Sequence, residues 1–145
     1  MRIEFLLIAI TVLPLLGGCD PIYSVQRTIA LEEPISDECI QESAKSLGDN
    51  IFIKKIEYEN GNRGSNEYLV QDDKAYIFLW YRSSNRQFLQ MGQSGIGYAD
   101  KERDESICGL LQSFYNALLI HCSLDPNKIS IQDEFIRAKC VESEI

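Results

Sequence analysis

Residues 75–82, AYIFLWYR, constrain this chain more than any other stretch. Successive side chains of a strand point to opposite faces. Tyr76, Phe78 and Trp80 therefore share one face, and Ile77, Leu79 and Tyr81 share the other. A strand that is apolar on both sides belongs in the middle of a sheet. The flanking sequence supplies neighbours. Residues 51–58 (IFIKKIEY) read as a strand, with a register shift expected at Lys54 and Lys55. The turn formers Asn60, Gly61, Asn62, Gly64 and Ser65 follow. Residues 67–71 read as a second strand, closed by the tight turn Asp72-Asp73-Lys74. A turn over residues 83–86 then leads into a strand from Gln87 to about Gln93. Consecutive strands joined by short turns form an antiparallel meander.

Two helices frame this meander. Residues 37–47 carry Ile40, Ala44 and Leu47 at helical spacing, with Ser36 or Asp37 placed to cap the start and Gly48 to stop the end. Residues 101–121 carry a broader stripe, Ile107, Leu110, Leu111, Phe114 and Leu118, with Asp100 or Asp104 as cap. The expected architecture is α+β: a four-stranded antiparallel meander with two antiparallel helices on one face. The tail after Pro126 reads equally as strand (Ile129, Ile131) or helix (Ile131, Phe135, Ala138).

The N-terminus gives an address. Residues 5–16 are apolar but too short to span a bilayer, which takes about 20 residues. They suit the core of a signal peptide. Leu16-Gly17-Gly18-Cys19 resembles the lipobox of bacterial lipoproteins: an apolar residue, two small ones, and the cysteine that takes the lipid. That resemblance implies cleavage before Cys19, a diacylglycerol on its thiol, and a membrane anchor facing the periplasm. Asp20 resembles the inner-membrane retention signal of enterobacterial lipoproteins. The expected organisation is a signal peptide over 1–18, a lipidated tether over 19–34, and one domain over 35–145.

An oxidising compartment then gives meaning to the other four cysteines, Cys39, Cys108, Cys122 and Cys140. An even count without any C-x-x-C pair favours two disulfides over zinc. With uncrossed connections, Cys39 at the start of the first helix lies near Cys122 after the end of the second. Cys108 is left for Cys140. The alternative, Cys39–Cys108 with Cys122–Cys140, needs parallel helices or another crossover. Cys108–Cys122 is the least favoured pair, because the intervening helix separates them by about 21 Å, far beyond disulfide reach.

Function is less constrained. The formal charge is −8, and removing residues 1–18 leaves it unchanged because Arg2 and Glu4 leave together. An acidic domain disfavours nucleic acid and is compatible with a basic protein partner. Oligomeric state cannot be read from the sequence. Two helices cover one face of the sheet only. The other face is covered by the chain's own ends or presents Tyr76, Phe78 and Trp80 to a partner. Tyr58, Tyr68 and Phe88 extend that surface, and Ser94 and Tyr98 join it from the glycine-rich stretch at 92–98, read as a flexible loop. Ser94-Gly95-Ile96-Gly97-Tyr98 resembles a loop motif of periplasmic lysozyme inhibitors, an all-strand barrel family in which binding lysozyme would be the implied role. His121 is the only histidine, so no histidine pair is available for metal or relay chemistry. The acids Asp100, Glu102, Asp104 and Glu105 suit a helix N-terminus. No cofactor motif is present. The expected role is a non-enzymatic, protein-binding lipoprotein, in the manner of an immunity protein or an envelope accessory subunit. The alternatives are a small hydrolase using Ser94 or the acidic cluster, and a lysozyme inhibitor.

Overall fold

The computed structural model describes residues 21–56, 65–82, 87–138 and 140. The signal peptide, Cys19, Asp20, Tyr58 and the turn at 83–86 lie outside the described residues. In chain order the elements are β1 (Ile22–Leu31), α1 (Asp37–Lys45), β2 (Phe52–Ile56), β3 (Ser65–Gln71), β4 (Tyr76–Arg82), β5 (Gln87–Ile96), α2 (Lys101–His121) and β6 (Ser130–Ile136). All six strands join one sheet in the order β2-β3-β4-β5-β1-β6, antiparallel throughout. The α+β class and the two helices are as expected. The four-stranded meander is only part of the sheet.

The two additional strands come from the segments read as tether and tail. β1 is hydrogen-bonded on both sides, to β5 from Ile22↔Ile96 to Leu31↔Gln87 and to β6 from Ser24↔Ile136 to Ala30↔Ser130. The expected tether is therefore an interior strand. Its apolar alternation is real: Tyr23, Val25, Ile29 and Leu31 are buried. Arg27 interrupts it, and Asp133 interrupts Ile131 and Phe135 in β6 in the same way. These two interruptions are partners across the sheet. Arg27 Nε and Nη2 donate to the two carboxylate oxygens of Asp133 at 2.7 and 2.8 Å, and Nη1 donates to Gln112 Oε1 at 2.9 Å. The guanidinium also lies 4.9 Å from the Tyr115 ring centroid. A bidentate ion pair lets a charge occupy the core side of a strand. Neither strand shows that compensation when read alone.

The same pairing overturns the expected loop at 92–98. β1 gives this stretch a partner, so β5 continues to Ile96. Here the glycines permit close approach. A Cβ on Gly92 would collide with the Val25 carbonyl oxygen, and one on Gly95 would meet the Tyr23 ring.

The helices pack on the face that carries Val25, Ile29, Tyr68, Ile77, Leu79 and Met91. Each strand end fixes a helix direction. α1 leaves the end of β1 and delivers the chain to the start of β2, whereas α2 leaves the end of β5 and delivers it to β6. They are antiparallel, and the disulfides pair as the sequence reading favours. Cys39–Cys122 joins the first turn of α1 to the C-cap of α2, with Cα atoms 5.1 Å apart. Cys108–Cys140 joins early α2 to the chain beyond β6, with Cα atoms 5.5 Å apart. Such crosslinks contribute about 2–4 kcal/mol each, chiefly by restricting the unfolded chain.

Local chemistry sets the helix ends. Ser36 caps α1 by accepting from the Cys39 amide at 3.2 Å. That frees Asp37 to accept from Tyr68 Oη, from Asn66 Nδ2 at 3.2 Å and from Lys55 Nζ, seating α1 on β2 and β3. Burial opposes ionisation of Asp37. The hydrogen bonds from Lys55 and Tyr68 outweigh it and hold the carboxyl below its ordinary value of 3.8. Burial first, and the Asp37 carboxylate second, push the Tyr68 phenol well above its ordinary 10.0.

Candidate functional site

The side of the sheet away from the helices is the candidate site. Its residues follow from strand alternation and register. Reading across β2, β3 and β4, one row holds Phe52, Gln71 and Tyr76, the next Lys54, Leu69 and Phe78, and the next Ile56, Glu67 and Trp80. Phe88 of β5 closes the group, its ring centroid 5.1 Å from that of Trp80 in an edge-to-face contact. Tyr76 and Phe78 make a second edge-to-face pair at 5.7 Å. No described element packs on this field. Phe52 is 54%, Phe78 48% and Tyr76 37% exposed.

Among the described residues, the segments read as tether and tail do not cover this face, because they lie in the plane of the sheet as β1 and β6. They widen the face with polar side chains instead. Gln26 and Thr28 of β1, Gln90 and Ser94 of β5, and Gln132 and Glu134 of β6 occupy it, with Gln90 Nε2 donating to Gln26 Oε1 at 2.8 Å. Gly92 lies between Phe78 and Gln26, and its missing side chain marks the boundary between the halves. The face thus has an aromatic half over β2–β4 and an amide-and-hydroxyl half over β5–β1–β6.

Of the five residues singled out from sequence, Tyr76, Phe78 and Trp80 line up along β4 on the aromatic half. Ser94 is exposed on β5, opposite Ser24. Tyr98 is exposed just past the end of β5, its carbonyl accepting from Arg103 Nη2 at 3.0 Å. Phe88 extends the surface as expected. Tyr68 does not: it is fully buried on the helix side. Sequence reading missed Phe52, Ile56 and Leu69. Alternation over residues 52–56 was the available signal, and the adjacent Lys54 and Lys55 obscured it.

Ser94 and His121 are not brought together. Ser94 faces away from the helices, whereas His121 is exposed in the last turn of α2 on the other side. Three of the four acids at the start of α2, Asp100, Asp104 and Glu105, make structural contacts. Asp100 caps α2 by accepting from the Arg103 amide at 2.9 Å. Buried Asp104 accepts from Arg103 Nε and Nη2 at 3.0 and 2.7 Å, and that guanidinium stacks 3.6 Å from the Tyr23 ring centroid. Glu105 pairs with Lys101 at 3.7 Å. A shallow cleft of about 160 Å³ lies by Leu31, Pro34, Cys122 and Ile129, below the size of ordinary ligand pockets and remote from the aromatic field. Among the described residues no cluster of three or more histidine, cysteine or acidic side chains is placed to hold a metal. No described helix is long and apolar enough to cross a membrane.

Fold and surface together define a disulfide-braced α+β domain whose sheet carries helices on one face and an exposed aromatic field on the other. No protein-family model, curated protein or solved structure matches the chain. The segment likened to the lysozyme-inhibitor loop is paired strand up to Ile96, within a mixed helix-and-sheet fold and not an all-strand barrel.

Proposed function

We propose that this chain is a lipid-anchored protein of the bacterial envelope, held by a lipid on Cys19, that binds another protein through the aromatic half of its open sheet face and carries out no chemistry itself. The observation that carries the reading is the exposure of Phe52, Tyr76 and Phe78 on one face of a well-packed sheet. An aromatic centre ringed by polar side chains has the composition of a protein interface. Lys54, Glu67 and the amides of β5 and β1 form that polar ring. The net charge of −8 suits a basic partner through faster, salt-sensitive encounter. An immunity protein against a rival's toxin, or an accessory subunit of an envelope machine, would use such a surface. Asp20 favours the inner membrane as the site of anchoring, with the domain in the periplasm.

A photo-crosslinking residue at position 78, compared with one at the exposed helical position 113, tests this in intact envelopes. A discrete adduct from position 78 that is absent from position 113, and that disappears when Phe52 and Tyr76 are both changed to serine, is the expected result. Indistinguishable patterns from the two positions would refute an interface on this face.

A further inference from the structure

The exposed apolar side chains are not spread evenly over the domain. β1 begins, β5 ends, β6 ends, β4 begins and β2 begins at one end of the sheet, because all neighbours are antiparallel. At that end stand Ile22, 57% exposed, its register partner Ile96, 72% exposed, and Tyr98, 78% exposed. Ile136, Phe52 and Tyr76, all exposed, complete the same rim. At the opposite end, where α2 finishes and β6 begins, the exposed apolar side chains are Ile120 and Ile131.

The chain also ties this rim to the anchor. The Gly97 amide donates to the Pro21 carbonyl at 2.7 Å, so backbone bonding reaches to within two residues of Cys19. Two extended residues span at most about 7 Å. A lipid on Cys19 therefore leaves no room for the domain to stand off the bilayer, contrary to the reach expected of a tether over residues 19–34.

From these two observations we infer that the rim formed by Ile22, Ile96, Tyr98 and Ile136 is seated in the headgroup boundary of the phospholipid bilayer. This rests on lipidation of Cys19 under the proposed function, and it adds an orientation to that reading. Isoleucines enter the acyl boundary while tyrosine holds the headgroup level, as amphipathic rings do at membrane interfaces. The charged groups near the rim are mixed in sign. Lys101 pairs with Glu105, Arg103 pairs with Asp104, and Asp72, Asp73 and Lys74 sit in the β3–β4 turn. The contact is therefore hydrophobic and insensitive to salt, unlike docking on anionic lipid by a basic patch. Seated this way, the strands rise from the membrane, the aromatic field faces sideways toward partners at the same surface, and the shallow cleft points away.

Depth-dependent fluorescence quenching tests the orientation. The full-length lipidated protein, with Trp80→Phe removing the only tryptophan, would be reconstituted into phosphatidylethanolamine–phosphatidylglycerol vesicles containing acyl-brominated lipid. Tryptophan would be introduced singly as Tyr98→Trp, Ile96→Trp or Ile120→Trp. Quenching at positions 98 and 96 at least twice that at position 120, unchanged by 0.5 M salt (roughly a 4 Å screening length), is the expected outcome. Equal quenching at both ends, or loss of it in salt, would overturn the orientation. Intact mass separates the two failures. A lipidated protein that stays with the vesicles yet shows no quenching at 98 or 96 refutes the seating alone, whereas an unmodified Cys19 refutes the anchored reading and the seating with it.

Discussion

The two faces of β4 are almost equal in apolar content and opposite in fate. Ile77, Leu79 and Tyr81 are buried under α1 and α2, while Tyr76 and Phe78, one residue out of phase, remain exposed. The same backbone holds both sets, so strand propensity does not separate them. What separates them is the distribution of covering elements. Both helices descend on one side, and the other described elements are hydrogen-bonded edge to edge within the sheet. An apolar side chain stabilises a fold in proportion to the area it removes from water. By that measure one face of this sheet is a core and the other is a surface available to something else.

Truncation should divide the faces most sharply. Phe114→Ala, on the buried face of α2, or Leu79→Ala is expected to cost about 3–5 kcal/mol of unfolding free energy by denaturant titration, the usual range for cavities in a packed core. Phe78→Ala should cost well under about 1.5 kcal/mol, since much of its ring is already in water. Comparable losses from Leu79→Ala and Phe78→Ala would break the comparison and imply that the open face is covered.

An intermediate effect is expected where the helix side carries charge. Arg27→Ala leaves Asp133 without its bidentate donor and removes the bridge that runs from β6 through Arg27 to Gln112 of α2. About 2 kcal/mol of stability should be lost, within the range for hydrogen bonds to charged groups. Amide exchange should accelerate first in β6, the edge strand, before it does in β4. Uniform acceleration across the sheet would show that Arg27 supports the whole core and not that edge.

The smallest expected effect is in pH dependence, and it sharpens the account of α1. Asp37 is held below its ordinary pKa, so its contribution is fully present above pH 3.8 and disappears as pH falls through the lower folded value. Tyr68 is held above 10.0, so its contribution is fully present below that pH and declines as pH rises beyond it. Asp37→Asn should flatten the acid limb of a stability–pH curve below pH 3.8 while leaving stability at open-face variants such as Phe78→Ala additive with it. An acid limb unchanged by Asp37→Asn would remove this network from the stabilisation of α1.

Much of the covered side could be read before any coordinates. The stripe in residues 101–121, the caps at Ser36 and Asp100, and the reversal implied by short connections were enough to pair Cys39 with Cys122 and Cys108 with Cys140. These are local or topological facts: a helix signal repeats every few residues, and a chain without crossings has few routes. The Tyr76-Phe78-Trp80 row was equally plain, since period-two alternation needs no knowledge of neighbours. Tyr68 was misplaced because an aromatic in a strand looks the same on either face until register fixes which side it takes.

What the linear chain determined by itself was the kind of each element that carries its own period, together with the cysteine arithmetic. What only the tertiary structure decided was the fate of the two ends. β1 and β6 each hide their alternation behind one charged residue, and the charge on one strand is neutralised by the charge on the other, 106 positions away in sequence. Compensation of that kind is a property of the pair in space, so no window along the chain could contain it. With it came the interior position of β1, the extension of β5 through its glycines, and a sheet whose second face no described element covers.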